Sequence, residues 1–533
     1  MKMDYFGKVV MVLLVGGILA GCQEDDITVT TDVENDGRQL EMAGPAGDVT
    51  LKISDLLEEI DNEHIHIQDD GLVSIRYDQN VDIDWKTLVL LRDFRETWQY
   101  SLPPYINLDP GSTKTIEFTE KVKLNHQNDV RYDSITMQGG TLSADLTCPP
   151  GFTGSIEVAI PEVESNGNPL AFQFYANGTG QTFSIDKDLT EKYVEFSHGA
   201  DSSYISVVTT MQVEDASGGN YSIDFSLTNM QPGLAFGYFG QQEASKLHEE
   251  LSFDVFKELD ELDQFELADV RGDIEVTSTI GVPFDVSVDN MHFTGDNGTS
   301  CGDLMIDNNN FVNITLPSAT YGNPIDTAKT SFHISRDNSN IVDIANCYPQ
   351  KMVFDVTSYS NPDGDTGEQN FMGPGNELGG KMVITIPAWF KTSLYSRQDT
   401  IDFDVNDILK DSEDEARDIN EMTVYFNFSN KLPLGISATA RVINAQGKEL
   451  DVLFDGEIIR AGTPNAEGYI AEAEQTEFKI ELSGEKINQY LDENAMEIIL
   501  ETETGTPGDD FVKLYEDMFF NADVSFKASG EVL

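Results

Sequence analysis

An alternation of apolar and polar residues that recurs seven times constrains this chain more than any other feature. The openings are Leu51-x-Ile53, Ile116-x-Phe118, Phe183-x-Ile185, Leu251-x-Phe253, Phe332-x-Ile334, Ile401-x-Phe403 and Phe478-x-Ile480, spaced 65, 67, 68, 81, 69 and 77 residues apart. About 20 residues after each, a second alternating stretch begins: Val73-x-Ile75, Ile135-x-Met137, Ile205-x-Val207, Ile274-x-Val276, Met352-x-Phe354, Met422-x-Val424 and Met496-x-Ile498. Successive side chains of a strand point to opposite faces, so a period of two buries one face and wets the other. The chain is therefore expected to be mainly β with short helices, built of tandem antiparallel β-sandwich-like units of about 70 residues.

The helices are expected between the opening strand and the next one. Val255, Phe256, Leu259 and Leu262 form one apolar stripe, Ile408 and Leu409 a second, and Ile487, Tyr490 and Leu491 a third. Such segments are short and hold only when packed. Three alternating stretches run into proline, at Pro161, Pro317 and Pro387, and are expected to stop there because proline has no N–H for the ladder. A unit this small is a poor core on its own. The units are expected either to pair into sandwiches, with each helix bridging the edge, or to join into one long curved sheet; pairing is the commoner outcome for β-rich chains. In sequence order this gives residues 48–240 (three units), 241–396 (two) and 397–533 (two).

The N-terminal stretch carries an address. Lys2 and Lys8 precede a nearly continuous apolar run, Val9 to Ala20, which is too short to span a bilayer and reads as a signal peptide over 1–21. It ends in Leu19-Ala20-Gly21-Cys22, which resembles the bacterial lipobox, and Gln23-Glu24-Asp25-Asp26 resembles the surface-export signal of Bacteroidota lipoproteins. With the tandem β-units, these features resemble a surface-exposed outer-membrane lipoprotein of that phylum, among its uncharacterised β-rich tandem-repeat members. The resemblance implies lipidation at Cys22, an outer membrane held through that lipid, and an outward-facing chain. Residues 22–47, acidic and rich in Thr and Gly, are expected to form a flexible tether. Asp133-Ser134-Ile135, Asp326-Thr327-Ala328 and Asp399-Thr400-Ile401 resemble the O-glycosylation sequon of the same phylum.

Charge narrows the partners. With 33 Lys+Arg against 94 Asp+Glu the formal net charge is −61, which excludes nucleic acid as a partner because phosphate binding needs a basic face. A neutral glycan or a basic protein remains. A glycan needs exposed rings, and Trp85, Trp98, Tyr100 and Tyr105 are the densest aromatic candidates. Asp363, Asp365 and Glu368, with Asn361 before them, offer oxygens in a tight turn and are the candidate ligands for calcium, the one cofactor considered. Apart from Cys22 there are Cys148, Cys301 and Cys347, an odd number that allows one bridge. A bridge between Cys301 and Cys347 would contribute roughly 4 kcal/mol through loop closure.

No Gly-x-Ser-x-Gly nucleophile elbow is found, since the string Gly298-Thr299-Ser300-Cys301-Gly302 opens no helix-like pattern, and no His-Glu-x-x-His or P-loop occurs. The expectation is a non-catalytic, lipid-anchored surface protein for binding or adhesion, with glycan capture as one form of it. A carrier of an apolar ligand or lipid in a β-sheet groove and a hydrolase with a carboxylate site are the alternatives.

Overall fold

A computed structural model describes residues 38–53, 64–104, 112–124, 129–165, 167–199, 203–253, 256, 266–392, 395–402, 419–507 and 510–532. Within them the period of two is realised as burial. In strand Ser203–Ala216 the residues Ile205, Val207, Thr209, Met211 and Val213 are buried and those between them are half-buried. Strand Arg271–Ser278 repeats this with Gly272, Ile274, Val276 and Ser278 inward. The chain is mainly β, in antiparallel sheets, with short helices.

The units do pair, and they do so by exchanging strands. In the six units after the first, the opening strand lies not against its own second strand but against that of its neighbour. Ile274 pairs with Phe332 while Leu251 pairs with Met352. The same reciprocity joins Val424 to Ile480 and Ile401 to Ile498, and Met211 to Ile116 and Ala144 to Ile185. In the last two unit pairs each unit's opening strand and second strand lie in different sheets, so the chain changes layer between them. Helix Gly484–Glu493 links one such pair of strands. Ser483 caps its start by accepting from the Lys486 N–H, Asn494 ends it in the left-handed region (φ 54°), and Ile487, Tyr490 and Leu491 are buried beneath it. The short helix Ile341–Ala345 occupies the corresponding link of an earlier unit. Of the other two expected helices, Phe256 is buried, whereas Val255, Leu259, Leu262, Ile408 and Leu409 lie outside the described residues.

Three lobes result. The middle sandwich has one sheet in the order Ala328–Ile334, Arg271–Ser278, Leu378–Pro387, Val73–Asp82, Ile65–Ile67. Its other sheet runs Glu243–Ser252, Lys351–Ser360, Phe284–Thr294, Ser300–Asp303, with Phe311–Leu316 also on Phe284–Thr294. Phe253 joins the layers, meeting Tyr77 edge-on at 5.3 Å and Phe293 at 6.1 Å. The terminal sandwich sets Arg38–Lys52, Phe519–Val532, Ile419–Asn430 and Glu474–Ser483 against Tyr395–Asp402, Ala495–Gly505, Gly435–Asn444 and Glu449–Ile459. There Phe478 and Phe454 meet across the layers at 5.4 Å.

The third lobe is a single nine-stranded sheet that curls upon itself. Its longest strand, Arg131–Ser165, pairs with Gly219–Tyr238 through its first half and with Ser203–Ala216 through its second. Gly154 (φ 151°) lies in the second half, where a Cβ would stand 2.1 Å from the Gln212 carbonyl oxygen. The curl brings strands Phe94–Leu102 and Lys114–Val122 together, and Tyr100 stacks on Phe118 at 4.0 Å.

Three expectations need correction. The tether stops before Arg38, because Arg38–Lys52 is a strand paired from Arg38↔Val532 to Lys52↔Phe519. Gly44, Pro45 and Gly47 resemble a linker in composition, but a register shift between Pro45 and Gly47 admits them to the ladder. The lobes do not follow the three sequence blocks either. Of the first block, residues 48–52 of strand Arg38–Lys52 and the strand Val73–Asp82 are taken by the terminal and middle sandwiches. Finally, Pro161 does not end its strand. It falls where the register with Asn168–Asp188 shifts between Ile160 and Glu164, a position that needs no N–H. Glu162 beside it is buried, and accepts hydrogen bonds from Ser206 N, Ser206 Oγ and Ser197 Oγ, each at 2.9 Å.

The lobes connect in series. Strand Asn370–Met372 of the middle sandwich's chain extends the curled sheet through Ala235↔Met372, and Arg131 donates to Asp365 at 2.9 Å across the same junction. Middle and terminal sandwiches share the small sheet Glu266–Leu267, Trp389–Lys391, Val512–Lys513, and Val73 N–H donates to the Leu514 carbonyl at 3.0 Å. Gly281 lies under the ring of Phe371, where a Cβ would be 2.0 Å from Cδ1. Gly281→Ala should therefore cost about 1–3 kcal/mol and displace Phe371 from the junction. Thermal unfolding should show the loss, and limited proteolysis should cut first between the curled lobe and the middle sandwich; an unchanged melting temperature and cleavage pattern would refute the role given to this contact.

Candidate functional site

The aromatic residues proposed as a sugar platform are not one. Strand Phe94–Leu102 turns Trp98 and Leu102 inward. Trp98 is 8% exposed and stacks on Phe225 at 5.5 Å. Tyr100 is half-buried on Phe118 and donates to Glu120 Oε1 at 2.9 Å; burial, and then the Glu120 carboxylate, raise its pKa. Trp85 belongs to another part of the molecule, buried with its Nε1–H on the Asn376 carbonyl at 3.2 Å. Tyr105 lies outside the described residues. The physical reason is the strand's own alternation: Trp98 and Tyr100 share the face that covers the core.

The calcium reading also gives way. Asp365 accepts from the Gly367 N–H at 3.0 Å and from Arg131 at 2.9 Å, and these two hold its carboxyl below the usual range. Asn361 is buried and donates to the Gly240 carbonyl at 3.1 Å. Among the described residues no three His, Cys, Asp or Glu side chains, Asp363 and Glu368 included, converge on a metal position. The turn joins two lobes instead.

Cys301 and Cys347 form a disulfide with Cα atoms 5.6 Å apart. Cys148 is buried, which pushes its thiol up to about 12 and leaves it unreactive near neutral pH. Cys22 lies outside the described residues. Of the three sequon serines and threonines, Ser134 is buried within a strand and Thr327 is exposed in a loop, while nothing is described of the Thr400 side chain.

What the sequence reading missed lies on the outer face of the curled sheet. Strand Asn168–Asp188 sends Leu170 and Ala176 into the core and half-buries Phe172 and Phe174. Gln173 and Tyr175 therefore stand outward. Two rungs cross four strands side by side: Tyr175, Ser155, Gln212, Thr115, and Gln173, Glu157, Thr210, Glu117. Tyr175 is 53% exposed, and its hydroxyl donates to Glu214 Oε2 at 2.8 Å. Because Glu214 belongs to the strand beyond Ser155, the ring must lie across the sheet rather than stand off it. Glu214 raises the phenol pKa, so the donor stays protonated. Gln173 donates to Glu157 at 2.6 Å, and Gln212 Oε1 accepts from Thr115 at 2.9 Å and Thr113 at 3.2 Å. The cleft over these residues has a volume of about 550 Å³, within the usual range for small-molecule sites. A second cleft of about 450 Å³ lies over Asp451–Gly456 and Phe478–Leu482. Of its three carboxylates, Asp451 is engaged by Tyr490 at 2.6 Å and Lys486 at 2.9 Å, Asp455 by Thr439 at 2.8 Å, and Glu481 by Lys479.

The available signal for Tyr175 was phase. An aromatic residue on the polar beat of an alternating strand has no core to enter.

No protein-family model matches this chain, and no curated protein matches it. Among solved structures, a Parabacteroides distasonis protein described as secreted aligns at TM-score 0.27 and 13% identity, over 56% of this chain and 89% of that one. The VP2 subviral particle of infectious bursal disease virus aligns at TM-score 0.15 and 9% identity, over 80% and 74%. Cowpea mosaic virus top component aligns at TM-score 0.13 and 9% identity, over 54% and 89%. At these scores the likenesses carry no argument.

Two outcomes are expected. Cys347→Ser should lower unfolding stability by about 2–4 kcal/mol in denaturant titration under non-reducing conditions, and a wild-type protein insensitive to reductant would contradict it. Peptide mapping of protein from its native host should find hexose on Thr327 and none on Ser134; sugar on Ser134 would contradict the burial argument.

Proposed function

We propose that this chain is a lipid-anchored protein of the outer surface of a Bacteroidota cell, which binds or adheres to a ligand and does not turn it over. The observation that carries this reading is the position of the anchor relative to the lobes. Cys22 precedes Arg38 by 16 residues, and Arg38 opens a strand of the terminal sandwich. Even fully extended, that stretch reaches at most roughly 55 Å, so a lipid at Cys22 keeps the terminal sandwich near the bilayer. The middle sandwich follows, and the curled lobe is attached through it. The curled lobe is thereby presented farthest along the series.

Three features add support. The sequence Leu19-Ala20-Gly21-Cys22 has the form of a lipobox, and acidic residues follow it. The disulfide Cys301–Cys347 suits an oxidising compartment. A formal charge of −61 disfavours anionic polymers and leaves neutral or basic partners, a neutral glycan among them.

The test is direct. Cys22→Ala should release the protein from the membrane or leave its signal uncut. Proteinase added to intact cells should degrade the wild type while a periplasmic marker survives. Protection until lysis would overturn the outward-facing reading, and membrane retention of a correctly cleaved Cys22→Ala chain would overturn the lipid anchor.

A further inference from the structure

We infer that the outer face of the curled sheet around Tyr175 is a binding platform for a neutral saccharide. This rests on the binding reading above and names the site and the ligand class.

A pyranose presents two kinds of surface: a patch of axial C–H groups and a rim of hydroxyls that both donate and accept. The face at Tyr175 answers both. Its ring is held down by the hydroxyl bond to Glu214, leaving one π-face toward solvent. Stacking on such a face is dispersive and C–H-mediated, and it needs a ring already fixed in place. Around it Gln173, Glu157, Thr210 and Gln212 offer amides, a hydroxyl and a carboxylate, with the buried Ile156 and half-buried Phe174 beneath them in the same cleft. The hydrogen bonds among them set directions. Glu157 is oriented by Gln173, and Gln212 presents Oε1 to two threonines. Its Nε2 has no partner among the described residues and is available to a ligand oxygen.

The other ligand classes fit less well. An apolar ligand would meet rungs made of Ser, Thr, Gln and Glu. An anion would meet Glu157, Glu214 and Glu117 with no cation in the cleft lining. A basic peptide would be drawn by those carboxylates and could set a cation over the ring, but its binding would fall steeply with salt, which separates it from a neutral saccharide in the experiment below. The position suits the purpose, since the contacts described for this lobe with the rest, Ala235↔Met372 and Arg131–Asp365, are made with the middle sandwich.

The experiment uses the full mature chain in affinity electrophoresis, with soluble neutral polysaccharides in the gel: an α-glucan, a β-glucan, a mannan and a galactan. At least one should retard the wild type, with little change between low and high salt. Tyr175→Ala should weaken that retardation about tenfold, while Tyr175→Phe, which keeps the ring, should stay within about threefold. Gln212→Ala should weaken it severalfold. Tyr359→Ala is the control, because Tyr359 is an exposed tyrosine of the middle sandwich whose hydroxyl likewise reaches a carboxylate, Glu243 at 3.3 Å. Full retardation in Tyr175→Ala would overturn this site while leaving the protein a glycan binder. Retardation of the wild type by none of the four would overturn the saccharide inference, and the proteinase experiment on intact cells would still decide the surface reading. Binding instead to polylysine, lost as salt rises, would assign the face to a basic partner and overturn the proposal.

Discussion

A strand with one apolar face must find cover, and a unit of about 70 residues has too little of its own to supply it. Six of the seven units give their opening strand to a neighbour and receive the neighbour's in return, so that Ile274 lies by Phe332 and Leu251 by Met352. Most other features depend on that exchange. The links of the last two unit pairs must cross from one layer to the other, and helix Gly484–Glu493 makes one such crossing with its apolar stripe turned in. A seventh unit has no partner left. Its opening strand Arg38–Lys52 is absorbed by the terminal sandwich and its second strand Val73–Asp82 by the middle one.

How much of this was legible follows from which forces are local. Alternation is local, so the openings and second strands could be read directly. The helix under Ile487, Tyr490 and Leu491 could be read for the same reason. The identity of a strand's partner is not local: nothing within Leu251-x-Phe253 names Met352. Composition misled where a tertiary contact overrode it, as at Gly44-Pro45 within a strand and at Pro161 within a register shift. The aromatic residues were misjudged by counting them rather than phasing them. Trp98 and Tyr175 both lie on alternating strands, but only Tyr175 falls on the outward beat. The pairing of Cys301 with Cys347 was open to sequence reasoning because few cysteines remained to choose from.

The electrostatics show how so acidic a chain stays folded. Its scarce cations are placed between strands: Lys329 with Glu275, Lys381 with Asp78, Lys391 with Glu266. Two histidines hydrogen-bond carboxylates on neighbouring strands, His248 with Asp355 at 2.8 Å and His292 with Asp303 at 2.7 Å. These pairs are exposed or partly so, and each contributes at most about 1 kcal/mol. They relieve repulsion locally rather than holding the lobes together. Cohesion comes from the buried faces, where Phe253, Phe284, Phe354 and Tyr221 are almost wholly enclosed, and the negative surface is tolerated because little of it lies between packed layers.

The first strand also decides how the molecule bears load. Arg38–Lys52 is 15 residues long, roughly 50 Å of extended backbone, and it runs the length of the terminal sandwich before the chain passes on to the middle one. A pull between the N-terminal side of the chain and the curled lobe therefore travels along a single covalent strand. The terminal sandwich is clasped to that strand through Phe519–Val532, beside the line of tension rather than within it. Such a sandwich acts as a splint: it stiffens the strand against bending while the main-chain bonds take the stretch, and it need not unfold for the far lobe to be dragged upon.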